Sequence, residues 1–196
     1  MNVENINAFP TLVQKISGCL TQQQCHDIMR CIDSLDMSQH DLFEGDAGSS
    51  YSIKSDILGD ISKTIPSCYS LKNQIDILLT NYMKVSGIFH FGIDRSWSNA
   101  QGIGSKLINH SHPGSFITGA LYINVDNNSS PLQIHNPNPF IHHIALKEKT
   151  NYTNDILEIQ PAIGDVILFP SWLLHGAMKE NNTPKRVIIS FNSGLI

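Results

Sequence analysis

The sequence predicts a mainly β protein in which a jelly roll packs against about three N-terminal helices. Two patterns carry this reading. Up to Gly87, apolar residues recur three and four apart, the spacing of one helix face. After Gly87, short runs rich in Ile, Val, Phe and Tyr alternate with clusters of Gly, Asn, Pro and Ser, as in a sandwich or barrel of many short strands. With 196 residues and 41% hydrophobic content, one core can serve both parts. The chain is therefore read as a single domain over 1–196, helical over 1–87 and jelly roll over 88–196.

The first helix starts at Thr21, which forms a capping box with Gln24. Cys25, Ile28, Met29, Ile32 and Leu35 then share one face. The polar, Gly- and Ser-containing stretch 36–54 reads as loop. Ser55 can cap a second helix carrying Ile57, Leu58, Ile61 and Ile65, which Pro66 stops. Ser70 can cap a third, with Leu71, Ile75, Leu78, Leu79 and Tyr82 on one face, ending at Gly87. Strands are expected at 88–93, 95–100, 105–110, 116–125, 132–135, 141–146, 156–160, 165–169 and 186–192. The Pro- and Asn-rich stretch 126–140 reads as a loop-rich insertion beside a site.

Composition narrows the function classes. Formal net charge is -4, which argues against nucleic acid as a partner. No basic n-region with an apolar run opens the chain, and no apolar stretch approaches the ~18 residues that span a bilayer. Cys19, Cys25, Cys31 and Cys68 form no C-x-x-C pair and read as reduced thiols. The chain is thus expected to be cytoplasmic, with no membrane association. Nothing specifies an oligomer, although jelly-roll edge strands leave room for a homodimer. Histidine stands out: seven of the nine lie between His90 and His175, and imidazole is the commonest metal ligand.

Three segments carry chemistry. His110-Ser-His112 places two imidazoles two residues apart, on one face of a strand, within reach of one metal ion. Phe169-Pro-Ser-Trp-Leu-Leu-His175 ends a buried strand, breaks it at Pro170 and brings His175 back at the start of the next. Arg186 opens an apolar strand, and an arginine at a barrel mouth can pair bidentately with a carboxylate. Singly, each has an ordinary reading: a polar surface, a packed histidine beside Trp172, a solvated strand end. Their order is more specific. A close ligand pair, a third histidine about 60 residues on and an arginine 11 residues beyond follow the arrangement of non-haem Fe(II), 2-oxoglutarate-dependent oxygenases.

The residues Ser96-Trp97-Ser-Asn99, Gly104, His110-Ser-His112-Pro-Gly-Ser115, Thr118-Gly119-Ala-Leu-Tyr122, Phe169-Pro-Ser-Trp172-Leu-Leu-His175 and Arg186-Val-Ile-Ile-Ser190-Phe-Asn192 resemble the 2OG-Fe(II) oxygenase family of phage and marine-bacterial type. Its motifs run W-x-N, H-x-H, S-G-x-x-Y, F-P-S-W-x-x-H and R-x-S-x-S-F-N. Phe9-Pro10-Thr11 is similar to the family's opening. The resemblance implies a double-stranded β-helix that uses Fe(II) and the co-substrate 2-oxoglutarate to reduce dioxygen and hydroxylate a further substrate. It implies His110, His112 and His175 as metal ligands, Arg186 as the anchor of the distal carboxylate of 2-oxoglutarate, and Tyr122, Asn99 and Ser190 along the co-substrate pocket. Trp97, Phe140, Trp172 and the loop 126–154 are candidate substrate walls or lid.

The chain departs from the pattern at three points. Thr118 replaces a Ser before Gly119, Ile188 stands where R-x-S has its serine, and Asn136 stands where Asp often precedes Pro137. His112 occupies a position that holds a carboxylate in most 2-oxoglutarate oxygenases, so the metal would carry one less negative charge. Two other readings stay open on the residues: a three-histidine metal dioxygenase or cupin-like enzyme that does not use 2-oxoglutarate, and a non-catalytic jelly-roll binding protein.

Overall fold

In a computed structural model, residues 2–4, 9–140, 148–150, 153–181 and 185–194 are described. The helices form where the apolar spacing places them. α1 (Gln22–Asp33) has the Thr21–Gln24 capping box and buries Cys25, Ile28 and Ile32. α2 (Ile57–Thr64) is capped by Asp56, whose carboxylate accepts from the Gly59 N–H. The expected cap, Ser55, instead gives its carbonyl to the N–H of Ser96. The reason lies at Gly59, where a Cβ would stand 2.2 Å from an Asp56 oxygen, so glycine leaves the room that the capping carboxylate fills. α3 (Leu71–Ser86) begins after Ser70 without a side-chain cap; the Ser70 hydroxyl accepts from Gln74. Gly87, at φ +73°, closes the helix in the left-handed conformation that glycine adopts freely.

The strands make two antiparallel sheets. The first contains β1 (Gln14–Ile16), β9 (Val166–Pro170), β6 (Ser115–Asn124), β11 (Arg186–Gly194), β4 (Ile93–Gln101) and β3 (Ala47–Ser49), in that spatial order. The second contains β2 (Phe43–Glu44), β5 (Lys106–His110), β10 (His175–Ala177), β7 (Leu132–His135) and β8 (Ile156–Ile159). The mainly β architecture with three helices agrees with the sequence, in two respects with changes. The first 87 residues are not wholly helical: β1, β2 and β3 come from them, as edge strands too short to show a period of two. The expected strand 88–93 does not form: Gly92 at φ +140° breaks the backbone, and only Ile93 joins the strand expected at 95–100, as β4. The expected strand 141–146 lies outside the described residues.

Strand alternation divides the core. On β6, β9 and β11, Ile117, Leu121, Val166, Leu168, Val187, Ile189 and Phe191 point to one face and pack under Ile28, Ile57, Leu58, Ile61, Leu71, Ile75 and Leu79 of the helices. Their neighbours Ala120, Tyr122, Ile167, Phe169 and Ile188 point the other way and meet Leu132 and Ile134 of the second sheet. Both faces of β11 are covered, and all nine of its residues are buried. At Gly119 a Cβ would lie 2.1 Å from the Phe191 ring, so this glycine is required for close packing. No helix among the described residues is long and apolar enough to cross a membrane.

Candidate metal centre and co-substrate cavity

The second sheet sets up the histidine cluster through its register. His175, first residue of β10, pairs directly with His110, last residue of β5, and their ring centroids are 4.3 Å apart. His112 lies beyond the end of β5, so strand alternation does not by itself align it with His110. It is placed by its N–H, which donates to the Ser171 carbonyl at 2.9 Å, and by the turn at Pro113-Gly114, with Gly114 at φ +88°. Its ring lies 4.9 Å from that of His110 and 5.1 Å from that of His175. One ligand nitrogen from each of the three can be chosen so that all lie within 4.8 Å of one another.

Two of the rings are fixed in the tautomer that a ligand needs. His110 Nδ1 donates to the Ile108 carbonyl at 2.8 Å, and His175 Nδ1 to the Leu173 carbonyl at 2.9 Å. A carbonyl can only accept, so Nδ1 carries the proton and Nε2 keeps a free lone pair. Burial lowers the basicity of all three rings. It pushes His175 down to about 3 and His112 to about 4, with the neighbouring His110 adding to the effect, and it lowers His110 too. At neutral pH the cluster is three uncharged imidazoles, the form that coordinates a cation.

The cluster opens on a cavity of about 610 Å³ between the sheets. Its opposite wall is the inner face of β4, β11 and β6, where register sorts the side chains into rows. Gln101 stands beside Arg186; Asn99 beside Ile188 and Tyr122; Trp97 beside Ser190 and Ala120; Arg95 beside Asn192 and Thr118. Arg186, Asn99, Tyr122 and Ser190, the residues singled out from sequence, all line this cavity together with the three histidines. Asn99 Nδ2 donates to Ser190 Oγ at 3.1 Å. The Arg186 guanidinium lies 5.5 Å from the Tyr122 ring centroid.

Two buried polar atoms on this wall, Asn99 Oδ1 and the Tyr122 hydroxyl, have no hydrogen-bond partner among the described residues. Buried polar groups are normally satisfied, because leaving one bare costs about 1–3 kcal/mol. Two such orphans on the cavity wall beside Arg186 fit a polar ligand. The donor set therefore suits a divalent metal on the histidines and an oxygen-rich small molecule on the arginine side.

Sequence reasoning missed the support behind Arg186. Its Nη1 donates to Gln101 Oε1, and its Nε stands 3.5 Å from the carboxylate of Glu180, a fully buried side chain. Glu180 also accepts from the Ser130 and Asn181 N–H groups. A Glu in the polar connection before β11 gives no sequence signal of burial. The stretch 36–54 was also missed: His40, Phe43 and Tyr51 line the cavity. Trp97 lines it as well, whereas Trp172 and Phe140 are exposed and lie off it. Asp126 turns the chain by accepting from Asn128 N–H, and His135 lies outside the histidine cluster. His90 is held between Ser193 and Asp76 on the far side of the first sheet. His142 and His143 lie outside the described residues.

A jelly roll with facing sheets, three uncharged imidazoles at the end of one and a buried arginine on the other has the architecture of the double-stranded β-helix oxygenases. The model of the family described as "Putative 2OG-Fe(II) oxygenase" matches residues 95–192, half of the chain, and the protein belongs to that family. It is thus a 2-oxoglutarate- and Fe(II)-dependent oxygenase. Solved structures agree in fold. A Pseudomonas putida prolyl-4-hydroxylase superposes with a TM-score of 0.67 at 9% identity, covering 95% of this chain and 94% of that one. HygX from Streptomyces hygroscopicus, solved with nickel and 2-oxoglutarate bound, gives 0.65 at 12% identity, over 94% and 83%. A Trichoplax adhaerens prolyl hydroxylase in complex with a hypoxia inducible factor peptide gives 0.63 at 15% identity, over 92% and 83%. No curated protein matches the chain in sequence.

Proposed function

We propose that this oxygenase is a hydroxylase in which His110, His112 and His175 hold Fe(II) and Arg186 receives the distal carboxylate of 2-oxoglutarate. The observation that carries the reading is the pairing, across one cavity, of a three-imidazole cluster with a wall that holds two orphaned polar atoms beside a buried arginine. When bound, iron would activate dioxygen, the oxidant, with 2-oxoglutarate giving up two electrons as it is oxidised to succinate and carbon dioxide, which leaves one oxygen atom for the further substrate. The chain orients and encloses. Ile108 and Leu173 hold two imidazoles in the coordinating tautomer. Gln101 and Glu180 engage Nη1 and Nε of Arg186, which leaves Nη2 for the co-substrate. Asn99, Tyr122 and Ser190 are the polar partners along it, and Ile188, in place of a serine, gives it an apolar flank.

The test is anaerobic titration of the protein with Fe(II) and 2-oxoglutarate, read by the visible metal-to-ligand charge-transfer band, followed by succinate release on admitting oxygen. Wild type is expected to give both. His175→Ala is expected to lose iron, and Arg186→Ala to bind iron with 2-oxoglutarate affinity reduced about a hundredfold. Iron binding without any response to 2-oxoglutarate would favour a three-histidine dioxygenase, and failure to bind iron would defeat the reading altogether.

A further inference from the structure

The inner face of β4 and β11 carries an arginine near each end, and the two differ in their surroundings. Arg186 is fully buried against Gln101 and Glu180. Arg95 lies six residues from Gln101 along β4, ~20 Å away at the usual strand rise. It also lines the cavity and is half-buried, yet its guanidinium makes no ion pair and no hydrogen bond among the described residues. It is held instead by stacking: its Cζ sits 4.5 Å from the centroid of the Tyr51 ring. Stacking occupies the face of the guanidinium and leaves its N–H edge free, the edge that grips an oxyanion.

The wall between this cation and the histidines is aromatic. Tyr51 meets Trp97 edge-on at 5.1 Å, and Trp97 lies 5.9 Å from the ring of His112. Phe43 and Leu107 add apolar surface to the same cavity. Among the described residues that line this end, the other charged side chain is Asp94. A single fork with a carboxylate nearby suits one negative charge better than a dianionic phosphate.

We propose that the prime substrate is a small molecule with an apolar or aromatic body and a terminal carboxylate, which Arg95 takes bidentately while the body lies along Tyr51 and Trp97 toward the metal centre. This rests on the oxygenase reading for what happens to the substrate, but its binding can be tested apart from it. Phenylacetate and 3-phenylpropionate, each against its primary amide, are titrated into chelator-treated protein and followed by tryptophan fluorescence and calorimetry. The acids are expected to bind about tenfold or more tighter than the amides. Arg95→Gln should bring each pair within about twofold, Arg95→Lys should keep part of the preference by retaining the charge without the fork, and thermal midpoints report whether the variants fold. Equal binding of acid and amide by wild type overturns the proposal. So does a preference that survives Arg95→Gln but is lost in Arg186→Gln, which would place the acids in the co-substrate position. A charge-transfer band with 2-oxoglutarate that is weakened in Arg95→Gln also overturns it. Loss of that band in wild type, with the acid preference intact, would count against the oxygenase reading alone.

Discussion

The two sheets that enclose the cavity are built differently. The first has strands of nine or ten residues, β4, β6 and β11, with both faces covered by helices and by the cavity wall. The second has strands of two to five residues and, among the described residues, no helix in its core clusters. The long sheet carries apolar stabilisation and the polar wall. The short sheet carries the histidines, held by register, by two Nδ1–carbonyl bonds and by the Ser171 carbonyl on His112. The division assigns stability to one layer and metal binding to the other, and substitutions on the two sides should separate these properties.

The largest expected effect is on the short sheet. His175→Ala should abolish 2-oxoglutarate turnover, because two imidazoles remain where three are needed, and iron measured after anaerobic gel filtration should fall below stoichiometric. The metal-free variant should nonetheless melt close to metal-free wild type. A variant that unfolds would show that the short sheet depends on His175 for stability and would break the comparison.

On the long sheet, Phe191→Ala removes a fully buried ring that fills the space above Gly119 and packs in the helix-facing core. A loss of about 3–5 kcal/mol in urea unfolding is expected. The molecules that stay folded should bind Fe(II) with an affinity within about threefold of wild type, since Phe191 faces away from the cavity. A larger loss of metal affinity would mean that the sheets are coupled more tightly than their contacts indicate.

Acid should act through the short sheet. His112 and His175 titrate near 4 and 3 in the fold because burial disfavours their cations, whereas in the unfolded chain they take up protons near 6.5. The unfolded state therefore binds more protons below that value, and stability falls as pH drops from about 6.5 toward 4. At pH 5 each ring should cost about 2 kcal/mol relative to neutral pH. Chelator-treated wild type should show this in urea midpoints at pH 7 and pH 5, and His175→Ala should show a smaller loss between the same two pH values. A midpoint that does not change with pH would mean that the rings are already solvated.

The same contrast explains what was legible in the sequence. Long elements with a clear period could be read: α1 from Thr21 to Leu35, β6, β11 and the break at Pro170. Of the residues singled out from sequence, His110, His175, Arg186, Tyr122, Asn99 and Ser190 fall on strands of the motif-bearing half, His112 lies just past the end of β5, and all seven line one cavity. What could not be read depends on tertiary placement. Phe43, Ala47 and Tyr51 sit in a stretch with no period, and only pairing with β5 and β4 makes it wall. Glu180 looks like any surface acid until Arg186 is placed beside it. His112 was expected to share a strand face with His110, but a backbone bond to Ser171, 59 residues away in sequence, sets its position.

The smallest effect concerns the helix layer behind the long sheet. Asp56 caps α2 through Gly59, and its carboxylate also meets Lys72 at 2.8 Å. Both partners of that ion pair are well exposed, so solvent screens it and the cap dominates. Asp56→Ala should cost about 1 kcal/mol in urea unfolding, and Asp56→Ser should restore most of it, because a hydroxyl can accept from the same N–H. Gly59→Ala supplies the complementary test: its methyl enters the space of the capping carboxylate, so it should destabilise wild type more than it destabilises Asp56→Ala. The α2 end is bolted to β4 through Ser96, whose hydroxyl accepts from Leu58 N–H immediately before Trp97. If the layers are as separate as their contacts suggest, the cap variants should leave carboxylate binding at Arg95 unchanged. A shift in that affinity would show that α2 sets the position of Trp97 and, through it, the aromatic wall.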